Sequence, residues 1–109
     1  MKISKELVKG STATLVLSVL KGKDMYGYVI IKEIALRSEQ VFELKEGTLY
    51  PILHALEQEG CLESYWEEFE NRKRKYYHLT RKGEKQLDAK KEEWQVYSKS
   101  VGKVLSFAN

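Results

Sequence analysis

The sequence contains little cysteine and no long uninterrupted apolar run. Cys61 is the single cysteine among 109 residues, so no disulfide can form within the chain, and no cysteine and histidine spacing suits a structural zinc site. The apolar run at residues 13–20 is interrupted by Thr14 and Ser18, and the N-terminus has no continuous apolar segment. The sequence therefore indicates neither a signal peptide nor a membrane span. We expect a cytoplasmic protein in a reducing compartment, without a metal or other cofactor.

A strong excess of one charge is also absent. The 19 basic and 16 acidic side chains give a net charge of +3, which is too small for a non-specific nucleic-acid coat protein. A polyanion partner would therefore need a local concentration of positive charge, and one segment supplies it: Arg72, Lys73, Arg74 and Lys75. The chain has no nucleophile beside a plausible base and no phosphate-cradling glycine loop, so the sequence does not indicate an enzyme.

Residues 46–60 show the pattern of a short amphipathic helix. The apolar side chains recur at the spacing of one helix face: Leu49, Ile52, Leu53 and Leu56. The other face carries side chains that are free to contact a partner: Thr48, Tyr50, His54 and Gln58. Pro51 requires the helix to begin only a few residues earlier, and Gly60 suits the left-handed position that follows a helix. We predict a helix of about three turns.

Two aromatic-rich segments follow this helix, at residues 61–69 and 74–80. The polar residues 70–73 between them predict a turn, so the pair is expected to form a β-hairpin with a basic tip. Four side chains are expected on one face of this hairpin: Leu62, Trp66, Tyr77 and Leu79. A helix followed by such a hairpin is the arrangement in which a winged helix-turn-helix meets a DNA duplex.

Two earlier apolar segments complete the expected fold. Residues 11–21 predict one buried helix, and a second is expected to continue to Ser38. The buried stripe of the second helix is expected to include Tyr26, Ile30 and Ile34. Residues 39–45 predict a short strand or an extended turn. The whole pattern predicts an α+β fold, mostly α, with a winged helix-turn-helix followed by a long C-terminal dimerisation helix.

The C-terminal helix is expected to begin after Thr80, although Gly83 stands where a capping box has Glu or Gln. From Leu87 onward its apolar side chains follow a heptad-like seam: Leu87, Trp94, Tyr97, Val101, Val104 and Ala108. A helix of about 27 residues spans roughly 40 Å, which is longer than a small core can cover. We therefore divide the chain into a DNA-binding part, residues 1–80, and a dimerisation helix, residues 81–109, within one compact unit.

Three segments in this order resemble the PadR family, the phenolic acid decarboxylase regulators: YGYVIIKEI, EGTLYPILHALEQEGCLESYW and RKRKYYHLTRKGEKQL. The similarity covers about residues 10–107, and the short tail matches the compact branch with a single C-terminal helix. The resemblance implies a homodimeric transcriptional repressor whose recognition helix enters the major groove of an inverted-repeat operator in double-stranded DNA. It also implies a dimer interface that contains Leu17, Leu87, Trp94, Tyr97, Val101, Val104, Leu105 and Ala108.

The motifs and the resemblance together indicate a set of DNA-binding residues: Tyr26, Gly27, Thr48, Tyr50, Pro51, His54, Arg72, Lys73, Arg74 and Lys75. A plain solvent face is the alternative for Thr48 and Tyr50, and a basic turn that blunts a sheet edge is the alternative for the wing. The predicted recognition helix has no Arg or Lys, so bidentate guanine contacts cannot come from it. Which residues read bases therefore stays open.

Two aromatic residues on the C-terminal helix allow two interpretations. Trp94 and Tyr97 at heptad spacing most often pack in an interface, but paired flat rings can also hold a planar aromatic ligand, with Leu87 beside them. Some multidrug-sensing members of the resembled family place an aromatic residue at the position of Trp94. The sequence thus predicts a repressor relieved by a small aromatic molecule at the dimer interface. The alternative function is a winged-helix protein-interaction module without specific DNA binding.

Overall fold

The computed structural model describes residues 2–107, and these residues form five α-helices and three β-strands. In chain order the elements are α1 (Lys5–Lys9), α2 (Thr12–Leu20), β1 (Met25–Tyr26), α3 (Gly27–Arg37), α4 (Glu46–Gln58), β2 (Leu62–Phe69), β3 (Arg72–Leu79) and α5 (Arg81–Val104). The predicted α+β class, mostly α, is confirmed. Within residues 2–107, no helix combines the length and apolar character that crossing a membrane would require.

The core is built around α2, which packs against α3, α4, α5 and β3. Its apolar residues occupy most of the helix circumference, which explains why it can contact so many neighbours: Val16, Leu17, Val19 and Leu20 are buried. Helix α4 adds Leu49, Leu53 and Leu56 to the same core, as its spacing predicts. The opposite face of α4 therefore lies on the molecular surface.

The sheet has the strand order β1-β3-β2, and all of its neighbours are antiparallel. A two-residue turn, Glu70 and Asn71, joins β2 to β3. Both turn residues have positive φ, 52° and 64°. Such a turn matches the twist of the two flanking strands. The predicted four-residue turn at 70–73 is therefore wrong, because Arg72 and Lys73 already belong to β3 and pair with β2.

The predicted inner face of the hairpin agrees with the strand register. Leu62 lies opposite Leu79, and both are buried against the helices. Trp66 lies on the same face, opposite Lys75, yet 66% of its surface is exposed. The hairpin extends beyond the core, so its outer half forms a wing that projects into solvent.

One short element differs from the sequence-based prediction. Tyr26 was expected on the second helix, but it pairs with Tyr76 in the two-residue strand β1 and then serves as the N-cap residue of α3. A strand this short has too few residues to show an alternating pattern. For residues 39–45 the sequence left a short strand or an extended turn open, and the structure has the second: a turn and an extended loop, with Glu39 and Gln40 at positive φ.

A close backbone contact explains the unusual cap of α5. The Thr80 hydroxyl accepts a hydrogen bond from the Gly83 N–H at 3.0 Å and donates one to the Gly60 carbonyl at 2.7 Å. A Cβ on Gly83 would overlap the carbonyl oxygen of Cys61 and lie 2.6 Å from a methyl of Leu79. Glu or Gln therefore cannot occupy this position. The capping box is incomplete because α5 begins directly against the β2 entry turn.

Candidate nucleic-acid interface

The outward face of α4 carries the residues that the sequence assigns to DNA. Thr48, Tyr50, Pro51 and His54 are all exposed, while the leucines one face away hold the helix on the core. The N-cap residue of α4, Lys45, makes no side-chain cap bond. The Thr48 and Leu49 N–H groups bond to the Lys45 carbonyl, which leaves the N–H groups of Glu46 and Gly47 at the start of the helix without a side-chain cap. Anionic oxygens of a phosphate backbone are favourable partners for such groups.

Tyr50 connects α4 to the start of α3. The position that a Cβ on Gly27 would occupy is 2.6 Å from the Tyr50 hydroxyl and 3.0 Å from its Cζ. Gly27 is buried, whereas 42% of the surface of Tyr50 is exposed. The two helices of the helix-turn-helix thus meet at this pair, and Gly27 has little surface of its own to offer to DNA.

The four basic residues of the wing have different surroundings. Arg72 and Lys73 are exposed beside the turn. The Arg74 guanidinium lies 4.4 Å from the Tyr26 ring centroid and 5.9 Å from that of Phe69, and its buried Nε has no hydrogen-bond partner among the described residues. Such stacking stabilises a cation but restricts its reach. Two of the four predicted cations are therefore free at the tip, and Arg74 is packed on the sheet.

The fourth cation, Lys75, faces the recognition helix. Its Nζ lies 3.8 Å from Oε1 of Glu57, whose other oxygen accepts a hydrogen bond from the Ser64 hydroxyl. Glu57 therefore links the last turn of α4 to both strands of the wing. No local pattern in the sequence indicates Glu57, because its partners lie 7 and 18 residues away.

A polar cluster on the outer face of the sheet joins β1 to the wing. Asp24 accepts hydrogen bonds from the Tyr65 hydroxyl at 2.7 Å and from His78 Nδ1 at 2.8 Å. Partial burial raises the pKa of Asp24, but these two hydrogen bonds and the His78 charge outweigh it, so the pKa lies below 3.8. The bond to Asp24 also raises the pKa of Tyr65 to about 12. Asp24 thus connects the segment before β1 to both strands of the hairpin.

The far part of α5 presents an apolar surface that nothing in the described chain covers. Tyr97 and Val104 are 59% and 83% exposed, and Trp94 meets Tyr97 edge to face with 5.6 Å between ring centroids. The remaining exposed apolar residues nearby are Val96, Val101, Leu105 and Phe107. Helix α5 ends at Val104, so Leu105 follows the helix, and the predicted interface residue Ala108 lies outside the described residues.

Two of the residues predicted for the dimer interface require correction. Leu17 and Leu87 each have 1% of their surface exposed, because both belong to the core of this chain. Leu87 lies in the second turn of α5, where the helix still rests on α2 and β3, whereas Trp94 lies beyond the core. Leu87 therefore does not line a surface site beside Trp94 and Tyr97. The heptad spacing runs through both the buried part of α5 around Leu87 and the exposed part from Trp94 onward. The spacing alone therefore cannot tell core residues from interface residues.

The sequence profile of the family described as "Transcriptional regulator PadR-like family" matches residues 16–89, from the core helix α2 through the wing into α5. This range covers more than half of the chain. The chain belongs to the PadR-like family. Its winged helix is therefore that of a DNA-binding transcriptional regulator, and this family is one of regulators rather than enzymes.

Known proteins similar to this PadR-like regulator extend the match over nearly its whole length. The structure of a transcriptional regulator from Clostridium thermocellum is 36% identical, with a TM-score of 0.86, and the alignment covers 98% of this chain and 99% of that one. A PadR family transcriptional regulator from Eggerthella lenta is 35% identical, with a TM-score of 0.82, over 94% of this chain and 88% of that one. An uncharacterized protein from Lysinibacillus sphaericus is 33% identical over 84% of this chain and 85% of its own length.

The remaining reactive side chains of the PadR-like regulator serve its packing. Cys61 is buried, and its Sγ lies 3.4 Å from Oε1 of Gln86. Burial raises the pKa of this thiol, which keeps it in the less reactive protonated form. Among residues 2–107, no group of three His, Cys, Asp or Glu side chains is placed to hold a metal ion.

Proposed function

We propose that this PadR-like regulator is a homodimeric, sequence-specific repressor that binds an inverted-repeat operator in double-stranded DNA in the cytoplasm. The observation that carries the proposal is the exposed N-terminal half of α4, on a helix whose last turn is joined to a wing with two free cations, Arg72 and Lys73. A helix of this kind fits the major groove, and a basic hairpin tip fits the adjacent backbone. Residues 1–80 would contact DNA, and residues 81–109 would pair two copies.

The exposed apolar side chains on α5 support a dimer with a second copy of the chain. They follow one another along the part of the helix that projects beyond the core, and a patch of this kind is unfavourable in water unless it is covered. A two-fold axis through α5 would pair the patch with itself. Such a dimer would present two recognition helices about 34 Å apart, which suits half-sites one turn of duplex apart.

Sedimentation tests the dimer directly. The wild type should sediment with about twice the 12.7 kDa mass of one chain. A variant with Val101→Glu and Val104→Glu should dissociate, because both substitutions bring carboxylates into the paired patch. Lys99→Glu is the matched control, since Lys99 is exposed on the opposite side of the same helix and its replacement should leave the dimer intact. A wild type that stays monomeric at micromolar concentration would contradict the proposal.

Selection of duplexes from a random pool tests sequence-specific binding. The selected sequences should contain an inverted repeat, and Thr48→Ala with His54→Ala should weaken the selected duplex more than a scrambled one. Gln95→Ala, on the exposed side of α5 away from the proposed dimer patch, is the control and should change neither affinity. A reporter placed behind the selected duplex should fall in expression when the protein is produced. Selection without any preferred sequence would favour the protein-interaction module instead.

We also propose that a planar aromatic molecule relieves repression by binding between the two copies of Trp94 and Tyr97. The edge-to-face pair on the uncovered helix supports this, since two such pairs around a two-fold axis would form walls suited to a flat ring. A ligand weakens DNA binding only through its preference for a dimer that fits the operator poorly. A typical coupling would change operator affinity by about 5- to 150-fold.

Fluorescence titration with planar dyes tests this ligand site. The chain has two tryptophans, and Trp66 lies on the wing, far from α5 in sequence and on another element. The dye should therefore quench the tryptophan fluorescence of the Trp66→Phe variant as it quenches that of the wild type. It should have little effect on the fluorescence of Trp94→Ala. Undiminished quenching in Trp94→Ala would show that the dye binds elsewhere. Quenching without any change in operator affinity would limit Trp94 to the dimer interface.

A further inference from the structure

The contact between Gly27 and Tyr50 has an unusual form. Gly27 is the first residue of α3, and its φ lies outside the left-handed region that favours glycine. The chain conformation therefore does not require glycine here. Space requires it, because a Cβ would meet the Tyr50 hydroxyl at 2.6 Å, its Cζ at 3.0 Å and its Cε1 at 3.4 Å.

The Tyr50 ring lies against the start of α3, while its own backbone belongs to α4. Nearly half of its surface remains exposed. The same side chain can therefore pack against α3 and contact DNA.

We propose that Gly27 is a positioning residue for DNA recognition. Because Gly27 has no side chain, the Tyr50 ring can pack across the start of α3, and this packing fixes the positions of Thr48 and the Tyr50 hydroxyl relative to DNA. This inference rests on the proposed function. Gly27 then acts through Tyr50 rather than through its own contact with DNA. Operator affinity should depend on Gly27 only while Tyr50 is present.

The displacement of the Tyr50 hydroxyl expected from a methyl group at position 27 is small, but it is large enough to disturb a DNA contact. A methyl group at position 27 would push the Tyr50 hydroxyl from 2.6 Å to an ordinary contact of about 3.4 Å, a shift of about 0.8 Å. The obstructing atom is the far end of a half-exposed side chain, so the fold tolerates this shift. Binding contacts, however, depend on placement within about 0.5 Å. Gly27→Ala should therefore fold and still misplace a DNA contact.

A double-mutant cycle tests the proposal with the selected operator and a scrambled duplex. Gly27→Ala should weaken operator binding about tenfold and change scrambled binding less than about twofold. Tyr50→Ala should weaken the operator to a similar degree. The double variant should bind like Tyr50→Ala alone, because the methyl group then has no ring to displace. Gly10→Ala is the matched control, since Gly10 lies outside α4 and the wing, and its Cβ would meet nothing within 4 Å, so both affinities should stay unchanged.

Each result decides between the inference and its alternatives. Losses that multiply in the double variant, or a Gly27→Ala protein that binds like Gly10→Ala, would overturn the inference and leave the proposed function standing. If Gly27→Ala fails to fold, the added Tyr50→Ala substitution must restore folding, and failure to do so overturns the proposed contact. A wild type that prefers no duplex would overturn the proposed function and this inference together.

Discussion

Removal of the two free wing cations should flatten the salt dependence of operator binding. Arg72 and Lys73 are exposed at the tip, so each can neutralise a phosphate, and a dimer carries two such pairs. The slope of log affinity against log salt is about 0.9 per neutralised phosphate. Arg72→Ala with Lys73→Ala should therefore reduce the slope by about 3.6 for four lost contacts. This value is an upper limit, reached when all four cations touch phosphate.

Fluorescence anisotropy of a labelled operator between 50 and 200 mM salt measures this slope. Over that range a slope difference of about 3.6 changes the ratio of wild-type to variant affinity by roughly 150-fold. The wild type should therefore bind much more tightly than the variant at low salt and lose most of that advantage at 200 mM. The scrambled duplex should show the same loss, because phosphate contacts carry no base information.

The other two wing cations provide an internal comparison. Arg74 is held between two aromatic rings, and Lys75 lies near the Glu57 carboxylate, so each has a partner that competes with phosphate. Arg74→Ala with Lys75→Ala should flatten the slope less than the tip pair does. Lys90→Ala with Lys91→Ala removes the same charge from exposed α5 and should leave the slope unchanged. A tip variant with the wild-type slope, or an equal effect from the α5 pair, would show that Arg72 and Lys73 do not neutralise phosphates of the operator.

Two further substitutions test contacts inside the fold. Asp24→Asn should return the alkaline ionisation of Tyr65, followed by tyrosinate absorbance, from about 12 toward 10, and an unchanged titration would rule out the hydrogen bond. Because the folded pKa of Tyr65 is raised, the hydrogen bond stabilises the fold below about pH 10 and loses this effect as the pH rises through 12. The pKa of Asp24 is lowered in the folded protein, so its contribution to stability is present above pH 3.8 and is lost in stronger acid. Gly83→Ala should lower the free energy of unfolding by about 2 kcal/mol or more in urea titration, since its methyl group would overlap a backbone oxygen. Gly10→Ala, whose Cβ meets nothing, should stay close to wild type, and equal stability of the two variants would contradict the packing argument.

Local patterns predicted the elements whose stability is decided by nearby residues. The apolar spacing of α4 identified its buried face, because every third or fourth side chain of a helix must share one environment. Gly60 was expected in the left-handed region after this helix, and its φ of 82° agrees. The family resemblance rested on the same segments and is confirmed by the match over residues 16–89. The predicted boundaries of α3 near Tyr26 and of the hairpin turn were less accurate. The first depends on the pairing of Tyr26 with Tyr76, and the second depends on a turn of only two residues.

Helix periodicity, turn residues and motif order are properties of neighbouring positions, so they were enough to predict a winged helix-turn-helix of the PadR-like family. Which side chains stay free depends on tertiary contacts. The tertiary structure placed Leu17 and Leu87 in the core and left Trp94 outside, although Leu87 and Trp94 follow one heptad pattern. It also separated the free tip cations from Arg74, and it placed the Tyr50 ring against Gly27 and a backbone carbonyl against Gly83. These distinctions depend on atoms far apart in the chain, and no local pattern encodes their distances.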